Sequence, residues 1–207
     1  MLGQHGRSVT KAIFEAPARG LARAGVTPNH VTVAGTLVTV VASIVLLGWG
    51  HLIIGPIVLG IILFADSLDG TLARLTGTSS RFGAFLDSTL DRIGDGAVFG
   101  SLTAYAAMGL EPSAARTCAV LAGIVAIVGA AAVPYARARG ESVGVVASVG
   151  IAERTDRLVI SLVLAFVTGI GLSEWFLAAG LLIVAGASTI TVVQRIAYVA
   201  RHIEEER

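Results

Sequence analysis

Polar and apolar positions fall in long blocks along this chain. Apolar runs of about twenty residues, the length that carries a helix across a hydrocarbon layer, cover 31–49, 53–75, 82–108, 114–138, 154–171 and 175–200. The breaks between them are Gly48-Trp49-Gly50, Gly77 to Ser80, Gly109 to Ser113, Gly140 to Gly150 and Gly171 to Glu174. The pattern predicts an all-α integral membrane protein with six transmembrane helices. Ahead of them, Lys11, Glu15, Arg19 and Arg23 recur every four residues among Ala12, Ile13, Phe14, Ala16 and Leu21. This predicts an N-terminal amphipathic helix over 8–25 that lies in the interface and is kinked or restarted at Pro17. With no internal repeat and no second domain in the pattern, 1–207 reads as one domain with a 31–200 core and a solvated 201–207 tail.

Composition strengthens this reading. Charged residues make up 14% of the chain and hydrophobic ones 55%, whereas a soluble domain carries about a quarter charged residues. A mean hydropathy of +0.82 leaves too little polar surface for a bundle facing water. The net charge of +1 gives no footprint for nucleic acid. The first thirty residues lack a continuous apolar core and a small-residue cleavage site, and do not read as a signal peptide.

The basic residues set the orientation. Arg7, Lys11, Arg19 and Arg23 precede the first span; Arg74, Arg81 and Arg92 flank the second loop. Arg137, Arg139, Arg154 and Arg157 flank the fourth, and Arg195, Arg201 and Arg207 close the chain. With both termini cytoplasmic all of these share one side and only Arg116 falls on the other, as the positive-inside rule requires. The expectation is a multi-pass protein of the cell membrane.

Against this background the acids of 66–96 stand out. Asp66 and Asp69 lie three apart at the cytoplasmic end of the second span, and Asp87 and Asp91 four apart near the start of the third. Residues three or four apart share a helix face, so two antiparallel helices can turn four carboxylates into one volume. Asp95 extends the second face by a turn. Four like charges near a bilayer repel one another and are costly to insert. Divalent metals, two of which can share four carboxylates, or arginines would offset them. Gly70, Ala73 and Gly83 allow close approach of backbone or ligand, or simple helix packing.

Read together, Asp66-x2-Asp69-Gly70-x2-Ala73-Arg74-x8-Gly83-x3-Asp87-x3-Asp91 matches every defined position of the signature of the CDP-alcohol phosphotransferase family, which the chain resembles over nearly its whole length. The resemblance implies that Asp66, Asp69, Asp87 and Asp91 hold two divalent ions, Mg²⁺ or Mn²⁺, and that Asp91 is also the general base. It implies that Asn29, Thr32, Gly70, Arg74 and Ser80 bind CDP-diacylglycerol, at a site on the cytoplasmic face. Asn29 and Thr32 also suit an N-cap of the first span, with Pro28 setting the turn.

The acceptor alcohol is read from the remaining arginines. Members of that family that use inositol phosphate hold it with a Tyr-x-Lys/Arg-x-Arg segment, a Glu-Arg pair and a late arginine. Arg137, Arg154 and Arg195 match those positions, with Arg at 137 where lysine is usual; Arg139 and Arg157 are second choices. Glu153 and Arg157 are also spaced as a plain helix pair. The implied reaction transfers the phosphatidyl group of CDP-diacylglycerol to inositol phosphate with release of CMP, by a homodimer. Two alternatives are transfer to glycerol 3-phosphate and, from another class, a cation or proton carrier using the aspartates as an ion path.

Overall fold

The computed structural model describes residues 15–78 and 80–203, without the side chains of 67–69 and 74, and every regular element among them is a helix. We label them α1 (15–23), α2 (Pro28–Ala42, continued by a π-helical stretch Ser43–Gly48), α3 (Ile54–Ala65), α4 (Ser67–Thr76), α5 (Arg81–Gly109), α6 (Ala114–Ser142), α7 (Arg154–Gly169) and α8 (Trp175–His202). Of the predicted interfacial helix, 8–14 lies outside the described residues, as does the tail from 204. In α1, Pro17 sits in the first described turn with no break after it. Glu15 pairs with Arg19 at 2.6 Å, and Gly25, at φ 74°, follows the helix.

Two expectations about helix ends are corrected. The first membrane helix is capped not by Asn29 or Thr32 but by Thr27, whose hydroxyl accepts the His30 amide at 3.3 Å, with Pro28 as the first helical residue. Asn29 and Thr32 are therefore inside α2. The run predicted as one helix over 53–75 is broken at Asp66, which ends α3 and precedes α4. No glycine or proline announces this break.

Hydroxyls on α2 are satisfied within the helix. Thr32, Thr36, Thr39 and Ser43 each donate to the carbonyl four residues back, at 2.7 to 3.1 Å. Such back-bonding suits an apolar surrounding and tends to bend a helix; here it leads into the π-helical stretch.

The core is built for close approach rather than bulk. α6 buries Ala119, Ala122, Gly123, Ala126, Gly129 and Ala130. A Cβ on Gly129 would stand 2.5 Å from Cβ of Ser188 on α8, and one on Gly123 would collide with Thr103 of α5. Small residues of this kind let helices associate where lipid removes the hydrophobic drive between them. Phe99, Leu102, Leu177 and Leu181 fill the space between the stripes.

Four segments are long and apolar enough to cross a membrane: Pro28–Gly48, Ile54–Ala73, Ala114–Ser142 and Trp175–His202. α5 and α7 fall outside that group. α5 carries Arg81, Asp87, Asp91, Arg92 and Asp95 in its first half, and α7 has only 16 residues. Large side chains such as Leu37, Val41, Ile61, Met108 and Val128 are more than half exposed, the surface of a protein solvated by lipid. At one end of the bundle Arg116 donates to the carbonyls of Ala107 and Leu110 and closes the last turn of α5. The charged residues of the predicted site collect at the other end.

Candidate active site

The break at Asp66 turns its carboxylate toward α5 and α7. There Arg154, the first residue of α7, spends all three guanidinium nitrogens on aspartates. Nε donates to Asp95 Oδ1 at 2.8 Å, Nη1 to Asp66 Oδ2 at 2.9 Å, and Nη2 meets Asp91 Oδ1 at 3.0 Å. The other oxygen of Asp91 faces Arg92 Nη2 at 3.3 Å. Asp95 is buried, its side chain 1% exposed, whereas Asp66 is 42% exposed. Arg154 is thus the counter-ion of a buried carboxylate. Loss of one partner of such a pair costs about 3–5 kcal/mol.

The capping box of α7 fixes where this guanidinium starts. The Glu153 side chain accepts the third amide of the helix while the Asp156 carboxylate accepts the Glu153 amide at 2.9 Å. The expected Glu153–Arg157 pair does not form. Arg157 is 2% exposed, and its Nε and Nη1 have no hydrogen-bond partner.

Among the described residues no three acidic or other ligating side chains stand in a group able to hold one metal ion. Asp69, a member of the predicted set, has its side chain outside the description. Asp66 and Asp91 nevertheless aim oxygens at one point, and the Arg154 guanidinium stands there as a cation. Carboxylate oxygens around a half-buried positive charge are the donor set that a hard divalent ion takes, so the residues present fit such an ion.

Two cavities open beside α5, one reaching it at Asp87 and the other at Ser88 and Arg92, and the second also takes in Arg154. The first, about 200 Å³, is lined by Asn29, Thr32, Gly70, Ser80, Gly83 and Asp87 among others. It brings together four of the five residues expected to hold the CDP-lipid; the side chain of the fifth, Arg74, lies outside the description. Gly83 explains how α5 comes so near. A Cβ there would stand 3.3 Å from Asn29 Oδ1 and 3.2 Å from Ser80 Oγ. Ser80 Oγ is already the N-cap acceptor of the Gly83 amide, at 2.9 Å.

The second cavity, about 340 Å³, is lined by five arginines, Arg92, Arg137, Arg154, Arg157 and Arg195, with Ser88 and Glu141. It contains all three arginines expected for the acceptor. Arg195 is held in place by backbone: Nε donates to Val149 O at 3.0 Å and Nη1 to Val133 O. Arg137 is more exposed and pairs with Glu141 at 2.9 Å. Arg139 is turned to Ser142 at 3.0 Å instead and does not line the cavity.

A glycine-lined cavity that includes Asp87, and an arginine-lined one that includes the Arg154 paired with Asp66 and Asp91, suit transfer between a nucleotide and an anionic acceptor. Residues 25–192 match the family model for CDP-alcohol phosphatidyltransferase. The chain belongs to that family. The phosphatidylinositol phosphate synthase of Corynebacterium glutamicum is 38% identical over 202 residues, 95% of this chain and 88% of that protein. That of Streptomyces avermitilis is 39% identical over 99% of this chain and 85% of its own length. The crystal structure of the Mycobacterium tuberculosis phosphatidylinositol phosphate synthase in complex with manganese and citrate superposes with a TM-score of 0.83 at 38% identity, covering 92% of this chain and 88% of that one. The same enzyme with CDP-DAG bound gives 0.82 at 38% identity, over 93% and 94%. The family's all-helical fold is therefore the fold of this transferase.

Three further residues of the transferase's site stand outside the set the sequence put first. Asp95 continues the i, i+4 series of Asp87 and Asp91, and that period is the signal that finds it. Arg92 was read only as a topological charge, and Arg157 only as an alternative; both line the arginine cavity.

Proposed function

We propose that the protein is a phosphatidylinositol phosphate synthase, which moves the phosphatidyl group of CDP-diacylglycerol to inositol phosphate and releases CMP. The observation that carries this reading is a pair of cavities that meet α5 at the adjacent residues Asp87 and Ser88, the second lined by five arginines, of which Arg154 is paired with Asp66 and Asp91. The names of the relatives point the same way. CMP release from purified protein given CDP-diacylglycerol with inositol phosphate, free inositol or glycerol 3-phosphate tests it. Efficient turnover of glycerol 3-phosphate but not inositol phosphate would replace the acceptor and leave the transfer chemistry standing. The carrier reading requires acids spread along several spans, whereas Asp66, Asp91 and Asp95 gather at one end round Arg154.

In the proposed reaction the cytidine end lies against Asn29, Thr32, Gly70 and Ser80, with Arg74 on the pyrophosphate. Asp66, Asp69, Asp87 and Asp91 hold two divalent ions, Mg²⁺ or Mn²⁺. When bound, such ions neutralise the pyrophosphate and the charge that builds on the leaving oxygen. Asp91 takes the proton of the acceptor hydroxyl as its oxygen bonds to the β-phosphorus. The bond from that phosphorus to the oxygen bridging to the α-phosphate breaks, and the electron pair leaves with CMP. Arg137, Arg154 and Arg195 hold the acceptor's phosphate.

The proposal includes a single membrane domain over 1–207, with 8–25 as an interfacial helix and α5 and α7 crossing alongside the four apolar segments. It places a homodimer in the cell membrane with both termini and the site cytoplasmic. The arginines at the site end of the bundle, with Arg116 at the opposite end, support that orientation.

Two variants separate the cavities. Arg195→Gln removes a charged donor worth about 1.5–3 kcal/mol to an anion. KM for inositol phosphate should rise about 10- to 150-fold while KM for CDP-diacylglycerol moves little; loss confined to the CDP-lipid would misplace the pocket. Arg137→Gln should act in the same direction. Conversely, Gly83→Val drives branched carbon into Asn29 and Ser80. An overpacking cost of about 1–3 kcal/mol corresponds to a KM for CDP-diacylglycerol raised about 5- to 150-fold, with KM for inositol phosphate nearly unchanged. Equal effects on both substrates would remove Gly83 from the nucleotide cavity.

A further inference from the structure

Arg154 has two claims on it. Its Nη atoms occupy Asp66 Oδ2 and Asp91 Oδ1, while the same side chain borders the arginine-lined cavity. A metal ion ligated by those two oxygens would compete with the present Arg154 contacts, since each oxygen lies within 3.0 Å of a guanidinium nitrogen and a second positive charge there repels the first. The third contact differs in kind. Asp95 is not one of the expected metal ligands, its side chain is 1% exposed, and it holds Nε at 2.8 Å. Asp95 Oδ2 has no hydrogen-bond partner. The Asp95 bond is made by Nε, the nitrogen nearest the stem, which is displaced least when the rigid guanidinium plane tilts.

We propose that Arg154 is a built-in competitor of the metal: it gives up Asp66 and Asp91 when an ion enters, pivots on Asp95, and presents its freed Nη atoms to the phosphate of the acceptor. The inference rests on the metal and acceptor-phosphate reading above and extends it. It couples two sites through one side chain, so linkage makes the effect reciprocal. Metal binding prepares the acceptor site, and an acceptor phosphate that engages Arg154 strengthens metal binding. Asp95 acts as a positioning residue for both states.

The test is Mn²⁺ affinity of the full-length protein in detergent, followed by electron paramagnetic resonance of free Mn²⁺, without CDP-lipid so that no turnover occurs. Arg154→Gln should bind Mn²⁺ about tenfold more tightly than wild type, the low end of the range for losing one or two charged hydrogen bonds. Since this variant strands Asp95, the double variant Asp95→Asn/Arg154→Gln, which removes both partners, is measured beside it and should also bind more tightly than wild type. Arg137→Gln removes an equal charge from the same cavity without touching the aspartates and should leave the affinity within about twofold. Inositol phosphate should tighten Mn²⁺ binding to wild type about fivefold or more, and this gain should vanish in both Arg154 variants. Unchanged or weaker Mn²⁺ binding in the two Arg154 variants overturns the competition. Full retention of the inositol phosphate effect in them overturns the pivot. Failure of the metal reading has a different signature: wild type binds no Mn²⁺, or binds it no better than Asp91→Asn does, and the competition falls with it.

Discussion

Replacing Asp91 by Asn is expected to lower kcat by about 10²–10⁴-fold, the usual worth of a positioned general base. Binding of CDP-diacylglycerol should be largely kept. The substitution preserves shape and one carbonyl oxygen but removes the charge and the basicity. Neither can be taken over by a neighbour. Asp95 is buried against Arg154, and Asp66 lies across the guanidinium on another helix. Loss of a metal ligand adds to the effect and weakens CDP-lipid binding somewhat. CMP release measured beside CDP-diacylglycerol binding separates the two contributions. Turnover near the wild-type level in Asp91→Asn would take this residue out of the mechanism.

Chelation should have an effect as large. EDTA is expected to reduce CMP release to background, and excess Mg²⁺ or Mn²⁺ to restore it. The reasoning is electrostatic. The proposed reaction brings a pyrophosphate and a second phosphate beside the carboxylates of Asp66, Asp87 and Asp91, while the described cations near these acids, Arg92 and Arg154, are already engaged with aspartates. Like charges at such separations repel strongly in a partly desolvated site, and divalent ions are what the donor set accommodates. Activity that persists undiminished in metal-free buffer would exclude the metal-held pyrophosphate.

Much of this was legible before any coordinates. The i, i+3 and i, i+4 spacing of the aspartates is a local property, and a helix converts it directly into a shared face. Asp91 and Asp95 lie one turn apart on α5 and share Arg154. The third predicted span, 82–108, differs from α5 by one residue at each end, since Ser80 is a strong N-cap and Pro112, three residues after Gly109, cannot continue the helix. The break at Asp66 was not legible. Phe64 and Ala65 continue the apolar run into it, and the side chain at the break pairs with a residue 88 positions later, a contact that local sequence does not show. The cap of α2 was misplaced by two residues or more because Thr27, Asn29 and Thr32 are all good capping types, and only the geometry of Pro28 decides among them. Arg195 looked like a substrate ligand alone, since sequence gives no sign of the carbonyls of Val133 and Val149 that hold it. The buried Arg157 was hidden by Glu153, whose spacing offered a simpler partner that the capping box had already taken.

The contact of Gly129 with Ser188 has a consequence for selectivity. Gly129 lies eight residues before Arg137 on α6, and Ser188 seven before Arg195 on α8, or about 12 Å and 10 Å along the two axes. The closeness of the two helices at this point, with room for no side chain between them, therefore gauges the gap between those two arginines across the cavity they line. A methyl group or more at 129 splays the helices and widens the gap. On the proposed reading of that cavity, acceptor selectivity is adjustable from deep in the bundle, by a residue more than two helical turns from Arg137 along α6.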